Sequence, residues 1–252
     1  MTLLEHGYNV TTGIVSQLGT AIVTGKYGEK NPFPIEAELC RQLGVSRSVL
    51  REAVKMLTAK GLLVSRPRHG TSVQAESMWN LLDPDVLRWL LERKFSLELL
   101  AQFTEVRLAV EPMAAMLAAR KSTPSGLAKI REAVERMRAA ARGEDDPLES
   151  DIAFHVAVLA ATGNRFYARL EGVIDAALRT SIQFTNQYKG VALADVNEHR
   201  KVFDAIEARD PQRAGEIMEK IIHEVMDLIA SARHKSRSEK PTARVRALER
   251  ST

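Results

Sequence analysis

Asp151 and His155, in the run DIAFH, stand four residues apart and so share one face of any helix that contains them. His199 follows in NEHRKVFDAI and His223 in KIIHEVM, each within a stretch whose apolar residues recur at helical spacing. One carboxylate and three imidazoles converging inside a helical bundle would form a divalent site for zinc, nickel or manganese, with positions left for water or an oxygen-rich ligand. Spacing alone does not bring three helices to one point, and each histidine also reads as an isolated, half-buried ring, the commoner case for a lone histidine on an apolar face. Arg107, in EVRLAVEP, is the other outlier. It interrupts an apolar run of Val106, Leu108, Val110, Met113 and Leu117 between Glu105 and Glu111. An inward guanidinium there suits a carboxylate ligand, or an ion pair with one of those glutamates.

A second group of residues has the chemistry for reading nucleic acid. In EAELCRQLGVSRSVLREAVKMLTAKGLLVSRPRHGTSV, residues 36 to 73, Ala37, Leu39, Cys40 and Leu43 form the apolar face of a short helix. Gly44 sits where the chain leaves it, and Val45 plugs the turn. Ser46 is placed to cap a second helix that buries Val49, Leu50, Ala53, Val54 and Leu57. Its outer face carries Arg47, Ser48, Arg51 and Lys55, and paired guanidiniums near a helix N-terminus suit guanine edges in a major groove. Two β-prone runs then flank Arg66, Arg68, His69 and Gly70, a basic hairpin tip able to touch backbone or minor groove. Helix pairs joined by turns are common, and an Arg-bearing face is often only solvated. Here the cap, the turn glycine, the wing and the basic residues agree, so DNA binding is the expectation.

The elements that must position these groups follow from punctuation. A first helix over residues 10 to 26 braces the pair, with YGEKNPFP as the connecting loop. Beyond Gln74 the β-prone character disappears, and amphipathic helices are expected over 86–93, 96–119, 124–142, 146–162, 165–187, 195–208 and 211–232. Short breaks such as Ser122–Gly126 and Thr162–Asn164 imply an antiparallel bundle large enough to enclose a pocket. Gln183 and Asn186, late in the helix over 165–187, are polar candidates for a ligand's hydroxyl groups. Trp79 and Trp89 are expected as core at the seam between the two parts. The expected fold is mainly α: a winged helix-turn-helix domain over 1–75, an all-helical domain over 76–234, and a basic disordered tail over 235–252.

Composition bounds the function classes. With 45% apolar and 27% charged residues, the 252-residue chain has an ordinary soluble composition, and Cys40 alone makes no disulfide framework within the chain. No apolar run reaches membrane-spanning length and the first residues lack a leader pattern, so a cytoplasmic protein without a membrane partner is expected. Residues 1–75 hold nine basic and five acidic side chains, and residues 231–252 hold seven and two. The middle is therefore acidic, and phosphate affinity belongs to the two ends.

With these residues set out, the chain resembles the GntR regulators, in the FadR branch with an all-helical FCD effector domain. The resemblance runs from Thr11 to about Ala232 and is carried by the head sequence above and by EVRLAVEP, DIAFHVAVLAATGN and EHRKVFDAIEARDPQRA. It implies that Asp151, His155, His199 and His223 are metal ligands and that Arg47, Arg51 and the tip at His69 and Gly70 contact DNA. Ala37 departs from the pattern, standing where some members carry an arginine near DNA. The segment WNLLDPDVLRWLLE is similar to that of sugar-acid-responsive members, notably galactonate-responsive repressors.

The function expected is a homodimeric, ligand-released repressor of a carboxylate or sugar-acid catabolic operon. It would bind a short palindromic operator in double-stranded DNA and would not be an enzyme. The rival reading is a helical metallohydrolase with a DNA-tethering head, against which the chain offers no general base with a secure place beside the metal set. A nucleoid protein, with neither pocket nor sequence preference, is a third.

Overall fold

Apolar residues at helical spacing dominate the chain, and helices follow them in a computed structural model that describes residues 3–66, 70–93, 96–189 and 195–238. Side chains are described over 10–66, 70–91, 96–182, 184 and 195–235. The chain divides into two compact units, Met1–Phe95 and Ser96–Thr252.

The first unit contains α1 (Leu3–Val23), α2 (Glu36–Leu43), α3 (Arg47–Ala59), the strands β1 (Leu63–Arg66) and β2 (Gly70–Val73), a 3-10 turn at Glu76–Met78, and α4 (Pro84–Arg93). Helix α1 buries Ile14, Val15, Leu18 and Ile22 and packs on α3 and α4. Gly44 takes φ 66, the left-handed value that ends α2, and the hydroxyl of Ser46 accepts the Val49 N–H at 3.4 Å to start α3. The strands pair antiparallel, from Leu63 opposite Val73 to Arg66 opposite Gly70, making the wing. On α2 Leu39 is buried and Cys40 and Leu43 are half-buried, but Ala37 is exposed.

Residues 76–93, assigned from sequence to the second domain, lie in the first unit instead. Their anchors are specific. Trp89 is buried against α1 at Gly19, where an added Cβ would lie 2.2 Å from the indole ring. Lys60, at the end of α3, places Nζ 2.9 Å from Asp83 and 2.9 Å from Asp85. The indole N–H of Trp79 donates to the Gln74 carbonyl at 3.2 Å. Both tryptophans are core as expected, but of the first unit. An apolar periodicity announces that a face is buried without naming its partner, which is why this assignment failed.

The second unit is a bundle of α5 (Leu97–Lys121), α6 (Pro124–Ala141), α7 (Pro147–Ala160), α8 (Arg165–Arg169), α9 (Glu171–Lys189), α10 (Val196–Glu207) and α11 (Pro211–Ser238). Helices α5 and α11 form its most extensive pairing, brought close at Gly215, where an added Cβ would lie 2.7 Å from Met116. Arg209 takes the unusual φ of 59, and its guanidinium donates to the carbonyls of Ala119 and Ser122 at the end of α5. Those bonds satisfy acceptors that a helix terminus leaves open. The helix expected over 165–187 is two helices, interrupted at Leu170. Helix α11 continues to Ser238, four residues into the segment expected to be disordered, and residues 239–252 lie outside the described residues. No described helix is long and apolar enough to cross a membrane.

Candidate DNA-reading face and candidate metal centre

Helix α3 buries Leu50, Ala53 and Leu57, and this rotation turns Arg47, Ser48, Arg51 and Lys55 outward together. The Ser46 and Ser48 hydroxyls are 2.9 Å apart at its start. Arg51 Nε lies 3.3 Å from Glu36 and Lys55 lies 3.3 Å from Glu52; exposed pairs of this kind are worth little and leave both cations available. Between α3 and the wing is a hollow of about 940 Å³, lined by Phe33, Ile35, Leu50, Arg51, Lys55 and Thr71 among others. Arg66 is exposed at the end of β1, opposite Gly70, which takes the left-handed φ of 78. Arg68 and His69 lie outside the described residues.

In the second unit, Asp146 caps α7, accepting from the Leu148 and Glu149 N–H groups at 2.8 and 2.9 Å, and Pro147 follows at the first helical position. The helix so started carries Asp151 and His155 on its buried face. Asp195 caps α10, accepting from the Asn197 and Glu198 N–H groups, and its carbonyl oxygen lies 2.7 Å from Nδ1 of His199. That contact places the His199 proton on Nδ1 and frees Nε2, which lies 3.2 Å from Asp151 Oδ1. His155 brings Nε2 to 3.4 Å from the same oxygen. Phe154, fully buried, meets both rings edge-on, with centroids 5.6 and 5.0 Å away.

Asp151, His155 and His199 are all buried, and each offers one ligand atom within 4.8 Å of the others. Asp151 Oδ1 and His199 Nε2 make no aligned hydrogen bond with any group. Buried polar atoms left so are costly, and one carboxylate oxygen with two imidazole nitrogens is a donor set that a borderline divalent ion satisfies. The residues therefore fit a metal ion. His223 is not brought to this group: it is exposed on α11, with Nδ1 3.0 Å from the Glu219 carbonyl.

Two further residues adjoin the group. Arg107 is buried on α5 and donates through Nε to Glu111 Oε1 at 2.6 Å, while Glu105 is exposed. Glu111 Oε2 in turn lies 2.5 Å from Nδ1 of His155. The approach is out of line with the ring N–H and neither atom makes an aligned hydrogen bond, so the two are held as a close, buried ion pair. Burial alone would raise the Glu111 carboxyl, but the charge of Arg107 and the neighbouring His155 bring it down to about 2. Burial likewise works against the Asp151 carboxylate, and the rings of His155 and His199 outweigh it, holding that group below the ordinary carboxylate range. For His155 burial favours the neutral ring, but Glu111 and Asp151 raise it to about 9.

Sequence reasoning considered Glu111 only as a partner for Arg107; their four-residue spacing on an apolar helix was the available signal, and the link to His155 had none. The side chains of Gln183 and Asn186 lie outside the described residues.

Residues 11–73 match the family described as bacterial regulatory proteins, gntR family, and residues 102–224 match the FCD domain. Over 207 residues the chain is 37% identical to the galactonate operon transcriptional repressor of Escherichia coli (strain K12), covering 82% of this chain and 90% of the relative. The chain belongs to the gntR family.

This gntR-family regulator is also 31% identical over 208 residues to the HTH-type transcriptional regulator YieP of the same organism, covering 82% of this chain and 89% of that one. Its fold is shared with Lar, which controls the Listeria monocytogenes agr system: TM-score 0.60 at 16% identity, over 92% of this chain and 98% of the other. The regulator is mainly α, with an N-terminal winged helix-turn-helix and a helical FCD effector domain. It is a DNA-binding transcription regulator and not an enzyme, which sets aside the metallohydrolase reading.

Proposed function

We propose that the regulator represses a catabolic operon for a sugar acid or related carboxylate, and that the acid releases it from DNA. The observation that supports this reading most is the placement of a buried carboxylate and two imidazoles beside a buried arginine, in the FCD domain of a chain 37% identical to a galactonate operon repressor. Asp151, His155 and His199 would hold a divalent ion, zinc, nickel or manganese. Such an ion offers Lewis-acid positions to the carboxylate and neighbouring hydroxyl of an α-hydroxy acid.

Arg107 would orient the acid. A guanidinium has five N–H donors, and the bond to Glu111 uses only the one at Nε. The protein would act as a homodimer whose two α3 helices read a short palindrome, and the acid shifts the population by binding unequally to DNA-competent and incompetent forms.

Operator binding measured with and without aldonic acids tests the proposal. Galactonate or a close relative should lower DNA affinity in the wild type, and Arg107→Ala should abolish that release while still binding DNA. A response confined to fatty-acyl or amino-acid ligands would overturn the sugar-acid assignment, and a wild-type response in Arg107→Ala would overturn the role of Arg107.

A further inference from the structure

We propose that Glu111 is the positioning residue that joins the metal centre to the effector anchor, holding the ring of His155 with one carboxylate oxygen and the guanidinium of Arg107 with the other. The inference rests on the metal and effector reading above and assigns a role to a residue outside both sets. Helical spacing puts Arg107 and Glu111 on one face of α5, while His155 comes from α7. The Arg107 and Glu111 side chains are 3% and 2% exposed, so water cannot replace either partner. Oε1 is 2.6 Å from Arg107 Nε and Oε2 is 2.5 Å from His155 Nδ1, so the two oxygens are divided between two elements.

The two rings are oriented by different means. A main-chain carbonyl at the start of α10 holds His199, and substitution does not remove it. At His155 the atom facing Nδ1 belongs to a side chain. With Nδ1 held toward Glu111, His155 turns Nε2 to the Asp151 side, as the nitrogen a metal ion would take in exchange for its proton, the arrangement in which a carboxylate behind an imidazole both aims it and raises its basicity. Because one carboxylate serves both partners, movement of Arg107 toward a ligand must alter the hold on His155, and a change at His155 must reach Arg107.

Glu111→Gln tests this in the full-length protein. A glutamine offers one acceptor and one donor, so it can receive a proton from Arg107 or from His155 but not from both. Zinc affinity, measured by competition with a chromophoric chelator, should fall about 10- to 100-fold. The His155 Nδ1 proton, expected by NMR as a downfield, slowly exchanging resonance with or without zinc, should disappear. Circular dichroism checks folding. Should the lone guanidinium prevent folding, Arg107→Met/Glu111→Gln compared with Arg107→Met alone makes the same measurement without a buried uncompensated cation. Wild-type zinc affinity with a persistent Nδ1 resonance would overturn the proposal. If the wild type binds no zinc, the metal reading fails by itself, and the resonance still decides whether Glu111 holds the ring.

Discussion

Nδ1 of His199 lies 2.7 Å from the carbonyl oxygen of Asp195, the residue whose side chain caps the same helix. One aspartate therefore starts α10 and sets which ring nitrogen of His199 faces Asp151. The first turn of this helix is part of the candidate metal centre.

The pH response follows from His155. A group raised from 6.5 to about 9 stabilises the metal-free fold fully below pH 6.5 and loses that contribution as pH rises through about 9. Metal needs the neutral ring, so below that pH it must displace a proton. The rise in Tm on adding metal should therefore grow from pH 6.5 to about 9. Calorimetry with and without chelator measures it, and an increment constant across the window would contradict the linkage.

The ligands should differ in rank. Asp151→Ala, His155→Ala and His199→Ala each remove a buried member of the group and should lower metal affinity most. His223→Ala should cost less, because its ring is exposed and held at the Glu219 carbonyl. Isothermal titration of the four variants gives the order, and a loss at His223 equal to the others would show that the helix moves to complete the site.

On the DNA face, Arg47→Ala and Arg51→Ala should each cost about 1 to 3 kcal/mol of operator binding and relax sequence preference. Arg66→Ala should weaken all sequences evenly. Competition between operator and scrambled duplexes separates the two patterns; silent substitutions at both α3 positions would remove base readout from this helix.

Gly19→Ala should destabilise the first unit by about 1 to 3 kcal/mol, since its methyl would overlap a buried indole that cannot move aside without repacking. Urea denaturation followed by tryptophan fluorescence reads the effect. An unchanged midpoint would mean that Trp89 has room to shift.

Much of this was legible in the chain. The cap at Ser46, the glycine at 44 and the basic stripe of α3 are local signals, each depending on a few neighbouring residues, and each appears where expected. Asp151 and His155 share a face because helical spacing requires it. The link from Glu111 to His155 joins residues on separate helices, and spacing within one helix has no bearing on it. The break at Leu170 comes two residues before Gly172, and a lone glycine inside a periodic stretch is compatible with one continuous helix, so it did not announce the break. Membership of α4 in the first unit depends on Gly19, Lys60 and Trp89 meeting, a three-way match that periodicity does not encode.

The ion pairs of Lys60 with Asp83 and Asp85 determine where this protein can be cut and rejoined. A fragment ending at residue 75 would leave Lys60 without either carboxylate and bare the strip of α1 that Trp89 covers, a sticky surface prone to self-association. The portable cassette is Met1–Phe95. A hybrid that gives this reading head a different sensor should be spliced there, and one spliced just after the wing should be recovered in inclusion bodies.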